Sequence, residues 1–426
     1  MTSLTRKFSK LFLGATVRVV TLALFLVVLG ASAALAQTKG YVTNTNDNTV
    51  SVIDTATNTV IATIPVGSGP LGVAATPNGA FVYVTNGNGN SVSVISTATD
   101  SVIATVPVGT DPELVAITPN GAFAYVGNWF SHSVSVIATA TNTVVATVPL
   151  LNQPRGIAIT PNGAFAYVGN VTEGVVVIDT TTNTVVTTIT FPFDSFPAFS
   201  AISPNGAFAY VVTSNFFAQG HISVIDTASN TVTATTGPLG TLFSTVDFTP
   251  NGNFAYVTDA FSNSVAVLDT ATNTVSATVP VGSFPIGVTV TPDGAFAYVV
   301  NEGSNNVSVV NTATNTVTAT IPVGNAPEFI AFTKPLSPQD QLAALVNQVE
   351  ALIAGGTLTQ NQGNALVNKL NQVSAKLDSS QTGAACNQLG AFTNQVSGFV
   401  NSGSLTQAQG QALIDAANAI RTNLGC

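Results

Sequence analysis

Short apolar runs alternate with turn residues across positions 38–334, and the alternation repeats about every 42 residues. In one unit the runs span 71–75, 81–84, 91–95 and 101–106, and they are rich in Val, Ile, Thr and aromatic residues, as β-strands are. All seven tyrosines of the chain occupy one phase of this repeat, at successive spacings of 42, 42, 42, 43, 46 and 42 residues. The pattern predicts a repeat protein made of four-stranded units.

The way the chain enters and leaves the repeat predicts a closed ring. Units of four strands and about 40 to 45 residues are typical of β-propeller blades. The chain enters at the second strand of a unit, at 40–43, and leaves at the first strand of a unit, at 328–333. The last strand therefore completes the first blade, and we predict an all-β seven-bladed propeller at 37–334.

The repeat also carries a family resemblance. Tyr-Val-Thr-Asn at 41–44 and 83–86, and Val-Ile-Asp-Thr-Ala-Thr-Asn-Thr-Val at 52–60, resemble the repeat of YVTN-family β-propellers. That family includes archaeal surface-layer proteins and exported bacterial proteins. The resemblance implies a propeller fold, and related propellers range from binding proteins to lactonases, lyases and copper or haem enzymes.

Residues 1–36 have the three parts of a secretory signal peptide. Four basic residues lie within the first 18 positions, an apolar run follows at 19–29, and Ala34-Leu35-Ala36 offers a small-residue cleavage site. We expect cleavage near Ala36 and an extracytoplasmic protein, in the periplasm, at the cell surface or secreted. An uncleaved anchor is the alternative. No later apolar run reaches the length of about 20 residues that a membrane span needs.

The charge balance excludes one class of partner. Charged residues make up 7% of the chain, and without the leader 6 basic and 19 acidic side chains remain. A nucleic-acid binder needs a basic surface to neutralise phosphates. We therefore expect no nucleic-acid partner, and anionic membranes are disfavoured for the same reason.

The candidate ligand-binding residues lie in the loops that vary between repeats. These loops precede the first and third strands of each unit and open on one end of a propeller, the variable rim, where binding residues tend to collect. Exposed aromatic residues with a few polar groups suit a partner protein or a glycan. The candidates are Trp129, Phe130, His132, Arg155, Phe216, Phe217, His221 and Phe261. The alternative is that these side chains pack beneath their own loops.

A metal site on the same rim is a second hypothesis. Carboxylate oxygens are the ligands that calcium prefers, and four carboxylates could line the channel mouth in a lactonase-like hydrolase or lyase. They are Asp111, Glu113, Asp194 and Glu328. Solvated surface carboxylates are the alternative.

Beyond a linker at 335–338, the apolar period changes from 2 to 3.6 residues, which predicts helices over 339–426. This segment repeats itself at an offset of 47 residues: the Thr359 to Gln362 capping box returns at Thr406 to Gln409. Two copies of a helical hairpin predict a small four-helix bundle. Its resemblance to modules appended to exported microbial proteins implies attachment or interaction.

The two cysteines of the chain, Cys386 and Cys426, are expected to form a disulfide. Export places both thiols where oxidation persists, and the even count leaves none over. In an antiparallel hairpin the start of one helix lies beside the end of the next. A free thiol pair or a metal site is the alternative.

Together these patterns favour an exported, non-enzymatic binding protein that uses the variable rim and needs no cofactor. The alternatives are the divalent-cation-dependent hydrolase or lyase described above, with calcium as its ion, and a structural surface-layer component. No catalytic constellation stands out in the sequence.

Overall fold

The computed structural model describes residues 38–170, 172–191, 196–214, 220–237, 243–333 and 337–426. The predicted signal peptide lies outside these residues. The chain divides into two compact units, one formed by residues 38–335 and the other by the C-terminal residues from 336 onward. The first unit is all β and the second is all α in the part of the chain described.

The first unit contains 28 strands in its described residues, and they form seven antiparallel sheets of four. Blade 1 contains β1 (Lys39–Asn44), β2 (Thr49–Asp54), β3 (Thr59–Pro65) and, from the other end of the unit, β28 (Pro327–Thr333). Blade 2 contains β4 (Pro70–Ala75), β5 (Phe81–Asn86), β6 (Ser91–Ser96) and β7 (Ser101–Pro107). Blade 3 contains β8 (Pro112–Ile117), β9 (Phe123–Asn128), β10 (Ser133–Ala138) and β11 (Thr143–Pro149).

The remaining blades follow the same order. Blade 4 contains β12 (Pro154–Ile159), β13 (Phe165–Asn170), β14 (Gly174–Asp179) and β15 (Thr184–Ile189). Blade 5 contains β16 (Phe196–Ile202), β17 (Phe208–Ser214), β18 (Gly220–Asp226) and β19 (Thr231–Thr235). Blade 6 contains β20 (Phe243–Phe248), β21 (Phe254–Asp259), β22 (Ser264–Asp269) and β23 (Thr274–Pro280). Blade 7 contains β24 (Pro285–Val290), β25 (Phe296–Asn301), β26 (Asn306–Asn311) and β27 (Thr316–Pro322), with a short 3₁₀ helix at Glu302–Ser304.

The ring closes as the sequence predicts. The last strand, β28, pairs antiparallel with the first, so that Lys39 lies opposite Thr333 and Val42 opposite Ile330. The innermost strands of consecutive blades contact one another all the way round, and β24 contacts β28 across the closure. The seven-bladed propeller with one blade built from both ends is confirmed.

The hydrophobic core lies between adjacent blades. One cluster joins Tyr125 and Val136 of blade 3 to Val168 and Ile178 of blade 4, and all four side chains are buried. Equivalent clusters lie between other neighbouring blades, including the pair that meets at the closure. The two middle strands of each blade are buried at nearly every position, as β2 and β6 show, whereas the outermost strands, such as β3 and β7, are exposed at most of theirs.

A repeated hydrogen bond fastens each blade to the next. In each bond a tyrosine hydroxyl from the second strand of one blade donates to a side-chain oxygen in the turn between the third and fourth strands of the next. The acceptors have positive φ, which Asn and Asp adopt more readily than other residues with a Cβ. The pairs are Tyr41–Asp100, Tyr83–Asn142, Tyr125–Asn183, Tyr167–Asn230, Tyr210–Asn273, Tyr256–Asn315 and Tyr298–Asn58.

The second unit contains four helices, α1 (Pro338–Ala354), α2 (Gln360–Asp378), α3 (Thr382–Asn401) and α4 (Gln407–Asn423). Thr359 and Thr406 form capping boxes at the starts of α2 and α4, so both copies of the hairpin begin in the same way. The Leu366 and Leu370 side chains of α2 pack with Leu413 and Ile420 of α4 in one buried cluster.

A disulfide joins Cys386 in α3 to Cys426, and the two Cα atoms lie 6.3 Å apart. No helix among the described residues is long and apolar enough to cross a membrane.

Candidate active site

The candidate site lies at the end of the propeller where variable loops lead into the innermost strands. At the second position of these strands the residue type changes from blade to blade, and three of the seven positions are charged. The charged residues are Glu113 on β8, Arg155 on β12 and Glu328 on β28. We call these three residues the charged mouth. It combines a residue from the rim-binding hypothesis with two from the metal hypothesis.

Close backbone packing positions the two glutamates. The Thr85 hydroxyl donates to the Glu113 carbonyl oxygen at 2.6 Å and accepts from the N–H of Gly72 at 2.8 Å. A Cβ on Gly72 would lie 2.5 Å from the same carbonyl oxygen, so only glycine lets β4 and β8 approach this closely. Gly287 has the same relation to the Glu328 carbonyl oxygen, also at 2.5 Å. Both glutamates are therefore held by a glycine in the preceding blade.

Burial and neighbouring charges shift the pKa values of both glutamates toward neutral pH. The Arg155 Nε lies 4.0 Å from Glu113 Oε2, and 23% of the Glu113 side chain is exposed. Burial raises the pKa of Glu113 to about 7, against the lowering effect of Arg155. Burial also raises the pKa of Glu328 to about 7, and the negative charges of Glu302 and Glu113 add to the rise. At neutral pH each carboxyl group is therefore divided between its acid and its carboxylate.

Aromatic rings surround the single cation of the mouth. The Arg155 guanidinium carbon lies 5.7 Å from the centroid of the Trp129 ring and 5.9 Å from that of Phe199. Phe199 in turn contacts Phe329, with ring centroids 5.6 Å apart. Cation–π contacts of this length favour one position of the guanidinium. The rings therefore hold Arg155 at the mouth and begin an apolar wall.

A cavity of about 330 Å³ lies in the channel, and one of its lining residues is Phe199, whose ring lies beside Arg155. Leu114 and Phe329, which directly follow the two glutamates in the chain, both line it. Most of the other lining side chains are apolar, and they include Val73, Ala74, Ala201, Val288 and Ile330.

Asp247 on β20 also lines this cavity, and the sequence analysis missed it. Its Oδ1 accepts from the Phe248 N–H at 2.9 Å and its Oδ2 from the Val290 N–H at 2.8 Å. Burial nevertheless raises the pKa of Asp247 to about 6. At this phase the other blades have Ala74, Ala116, Ala158, Ala201, Thr289 and Ala331. An acidic residue at an otherwise small position was the signal that could have found it.

The other predicted rim residues are scattered. Phe130 is 66% exposed, and Phe261 is 60% exposed and contacts Phe284 edge to face at 5.7 Å. His132 has positive φ in the turn between β9 and β10, where Asn48 stands in blade 1. The Nδ1 of His221 lies 3.0 Å from the Thr236 carbonyl oxygen of its own blade. The structure therefore brings Trp129 and Arg155 together, while Phe216, Phe217 and Asp194 lie outside the described residues.

The calcium hypothesis is not tested by this arrangement. Within the residues that the structure describes, no group of three or more His, Cys, Asp or Glu side chains is placed to hold a metal ion. Asp111 lies before Pro112 at positive φ, and burial raises its pKa. Since Asp194 is outside the described residues, the four-carboxylate set stays a prediction.

Comparison with known families identifies the family of the propeller. A model of the seven-bladed β-propeller lactonase family matches residues 41–185 and 197–324, which is more than half of the chain. The chain belongs to this lactonase family. Residues 342–422 match the FIMAH domain model, which covers most of α1 to α4. The narrower resemblance to YVTN-family and surface-layer proteins stays a prediction.

Solved structures share the fold of the lactonase-family propeller. Hydrazine synthase of Kuenenia stuttgartiensis is 24% identical, with a TM-score of 0.58 over 63% of this chain and 90% of that one. A candidate 6-phosphogluconolactonase from Bacteroides uniformis is 17% identical, with a TM-score of 0.60 over 70% of this chain and 99% of that one. Dihydro-heme d1 dehydrogenase NirN, in complex with DHE, is 14% identical, with a TM-score of 0.52 over 68% and 74%. Comparison with curated protein sequences finds no match.

The expectation of a non-enzymatic protein is wrong. It rested on the absence of a recognisable catalytic constellation in the sequence. Membership of the lactonase family points instead to an enzyme. No sequence motif joins the residues of the charged mouth, because each comes from a different blade and Glu328 is separated from the other two by more than 170 residues.

Proposed function

We propose that the propeller is a lactone hydrolase in which Glu113 and Glu328 act as an acid–base pair and Arg155 stabilises the developing oxyanion. The observation that carries the proposal is the charged mouth itself: two half-buried glutamates, each with a pKa of about 7, and an arginine that lies 4.0 Å from one of them and acts electrostatically on both. A general acid or base works best when its pKa lies near the working pH. Family membership supports the choice of a lactone as the substrate.

The neighbours of each glutamate assign its role. Next to Glu113, the lowering effect of Arg155 is larger than the raising effect of Asp111, which favours the carboxylate, so we assign Glu113 as the base. Arg155 also lowers the pKa of Glu328, but the charges of Glu302 and Glu113 have larger effects and raise it, so we assign Glu328 as the acid. Because the two groups interact, they titrate as a pair.

The reaction follows from these roles. Glu113 takes a proton from a water molecule as the water oxygen forms a bond to the lactone carbonyl carbon. Arg155 donates hydrogen bonds to the carbonyl oxygen as it becomes negative. The ring C–O bond then breaks, and Glu328 gives its proton to the ring oxygen that leaves. The product is a hydroxy acid, and proton exchange with solvent restores the pair.

The leader sequence and the disulfide between Cys386 and Cys426 support an extracytoplasmic location for this activity. In that setting the enzyme would meet lactones from outside the cytoplasm.

The test is lactone hydrolysis followed by proton release in a pH-stat, with δ-valerolactone and glucono-δ-lactone as probes. Glu113→Gln and Glu328→Gln should each lower kcat by about 10²–10⁴-fold, the usual contribution of a general acid or base. Glu350→Gln, the same change at an exposed position of α1, is the control and should leave kcat unchanged. EDTA should also leave the activity unchanged.

Two results would overturn the proposal. Rates of both active-site variants within twofold of the unmodified enzyme would remove the acid–base pair. Loss of activity in EDTA with recovery in calcium would replace it with the metal-dependent mechanism.

A further inference from the structure

The charged mouth contains one cation and two carboxyl groups, and Glu302 adds a further negative charge that acts on Glu328. Across residues 38–333 the sequence has only two basic side chains, Lys39 and Arg155. The Lys39 ammonium is paired with Asp100 at 2.7 Å, in the turn between β6 and β7 at the opposite end of the propeller. Arg155 therefore faces the carboxyl groups of Glu113 and Glu328 without another cation from this part of the chain.

This balance is unfavourable for an anionic substrate. Proteins bind phosphate and carboxylate groups with arginine forks, lysines or helix N-termini. Here Arg155 is the one cation of the mouth and, in the proposed mechanism, it binds the lactone carbonyl oxygen, so a phosphate group would compete with the reacting carbonyl for it. A phosphorylated lactone would add negative charge to a site where Glu302 and Glu113 already raise the pKa of Glu328. The mouth therefore fits an uncharged lactone.

The cavity behind the mouth fits an apolar group. The Phe199 ring lies beside Arg155 and also lines the cavity, so the apolar wall is continuous from the oxyanion site into the channel. A lactone with its carbonyl oxygen at Arg155 can direct its ring substituent along Phe199 and Phe329. A cavity of about 150 Å³ holds a benzene molecule, and this one is about 330 Å³. The volume suits an alkyl chain on the order of ten carbons.

Asp247 does not change this conclusion. Both of its carboxylate oxygens accept backbone N–H groups, so part of its hydrogen-bonding capacity is used within the wall. Its charge, where present, acts further against an anionic substituent in the channel.

From these observations we infer that the enzyme's substrates are uncharged lactones with an apolar alkyl substituent, which enters the channel cavity and packs against Phe199, Phe329 and Ala201. The inference rests on the proposed lactone hydrolase activity and names its substrate class.

The test is kcat/KM for δ-lactones with tails of increasing length, δ-valerolactone, δ-octalactone, δ-decalactone and δ-dodecalactone, and for a phosphorylated sugar lactone. Burial of each methylene should raise kcat/KM up to about fourfold, until the cavity is full. We expect kcat/KM for δ-decalactone to be at least 100-fold higher than that for δ-valerolactone. It should also be at least 100-fold higher than that for the phosphorylated lactone.

Ala201→Leu fills part of the cavity and should lower the ratio of kcat/KM for δ-decalactone over δ-valerolactone by at least tenfold. Should this variant not fold, Ala74→Val, at the same strand position in blade 2, makes a smaller change in the same direction.

The outcomes separate the inference from the function beneath it. A phosphorylated lactone hydrolysed as well as δ-decalactone would overturn the inference, and so would a kcat/KM that does not depend on tail length. In both cases the hydrolase itself would stand. If no lactone in the panel is hydrolysed above the uncatalysed rate, the proposed function fails and the inference fails with it.

Discussion

The two ends of the propeller differ in what is repeated. At the end that carries the turns between the first and second and between the third and fourth strands, here called the turn end, each of the seven blades has the same tyrosine bond to its neighbour. At the opposite end, the mouth end, Glu113, Arg155 and Glu328 each occur once. The tyrosine hydrogen bonds, which every blade repeats, stabilise the ring, whereas the charged residues that occur only once can take part in catalysis.

The carboxyl groups at the two ends also differ in the direction of their pKa shifts. Asp179, Asp226 and Asp293 lie in turn-end loops, and hydrogen bonds hold their pKa values below the usual range. The chief donors are the N–H of Thr182, the N–H of Ser229 and the hydroxyl of Thr291. Glu113 and Glu328 at the mouth end have raised pKa values because they are buried with few donors. Raised values next to a cavity are typical of functional sites.

Among changes outside the charged mouth, Gly72→Ala is expected to have the largest effect, because Gly72 packs against the backbone of Glu113 and so affects both stability and the mouth. The added Cβ would lie 2.5 Å from the Glu113 carbonyl oxygen and 2.7 Å from the Leu114 Cα, both backbone atoms. The strands must separate, so we expect a loss of about 1–3 kcal/mol in the free energy of unfolding. A displacement of Glu113 by about 1 Å would also lower kcat by about 100-fold.

Gly390→Ala in α3 is the control for Gly72→Ala, since a Cβ there meets no atom within 4 Å. Chemical denaturation and the pH-stat assay give the two readouts. Full activity in a folded Gly72→Ala enzyme would mean that Glu113 does not depend on this close approach.

The sequence was enough for the fold because the repeat phase determines it. One tyrosine per unit marks the blade, and the phase at which the chain enters and leaves determines how β28 closes blade 1. The mouth was only partly predictable. Variable loops drew attention to Glu113, Arg155 and Glu328, but the sequence divided them between a binding surface and a calcium site. The electrostatic interactions among these three residues depend on how deeply each is buried and on which strands lie next to one another in the ring. Asp247 was missed because it lies within a strand, and the sequence alone does not show that this part of the strand lines a cavity.

Removal of one tyrosine hydroxyl should affect stability and leave activity unchanged. Tyr125→Phe loses the bond to Asn183, which is half-buried and can still reach water, so we expect a cost of about 1 kcal/mol. Tyr41→Phe loses a bond to a carboxylate, Asp100, and hydrogen bonds to charged groups contribute about 1.5–3 kcal/mol. Both variants should keep kcat within twofold, measured beside their unfolding curves. A tenfold loss of activity in a folded variant would show that the turn end and the mouth end are coupled.

The pH dependence of stability should also separate the two ends, because they should contribute to it in opposite directions. Glu113 and Glu328 have a pKa of about 7 in the folded protein and a usual value of 4.5. The folded state therefore keeps protons that the unfolded chain releases above pH 4.5. The stabilisation from these groups is complete below that pH and is lost as the pH rises through about 7. The turn-end carboxylates Asp179 and Asp226, with lowered pKa values, stabilise the fold above pH 3.8 and lose that effect as the pH falls.

Tm measured from pH 2 to 9 should therefore rise, reach a maximum near pH 4 to 5, and decline toward pH 8. Glu113→Gln with Glu328→Gln should flatten the decline on the alkaline side, leaving the part due to Asp247, whose pKa is about 6. Asp179→Asn with Asp226→Asn should reduce the rise on the acid side alone. A Tm that continues to increase from pH 5 to 8 in the unmodified protein would mean that the mouth glutamates ionise freely, and the acid–base pair would lose its physical basis.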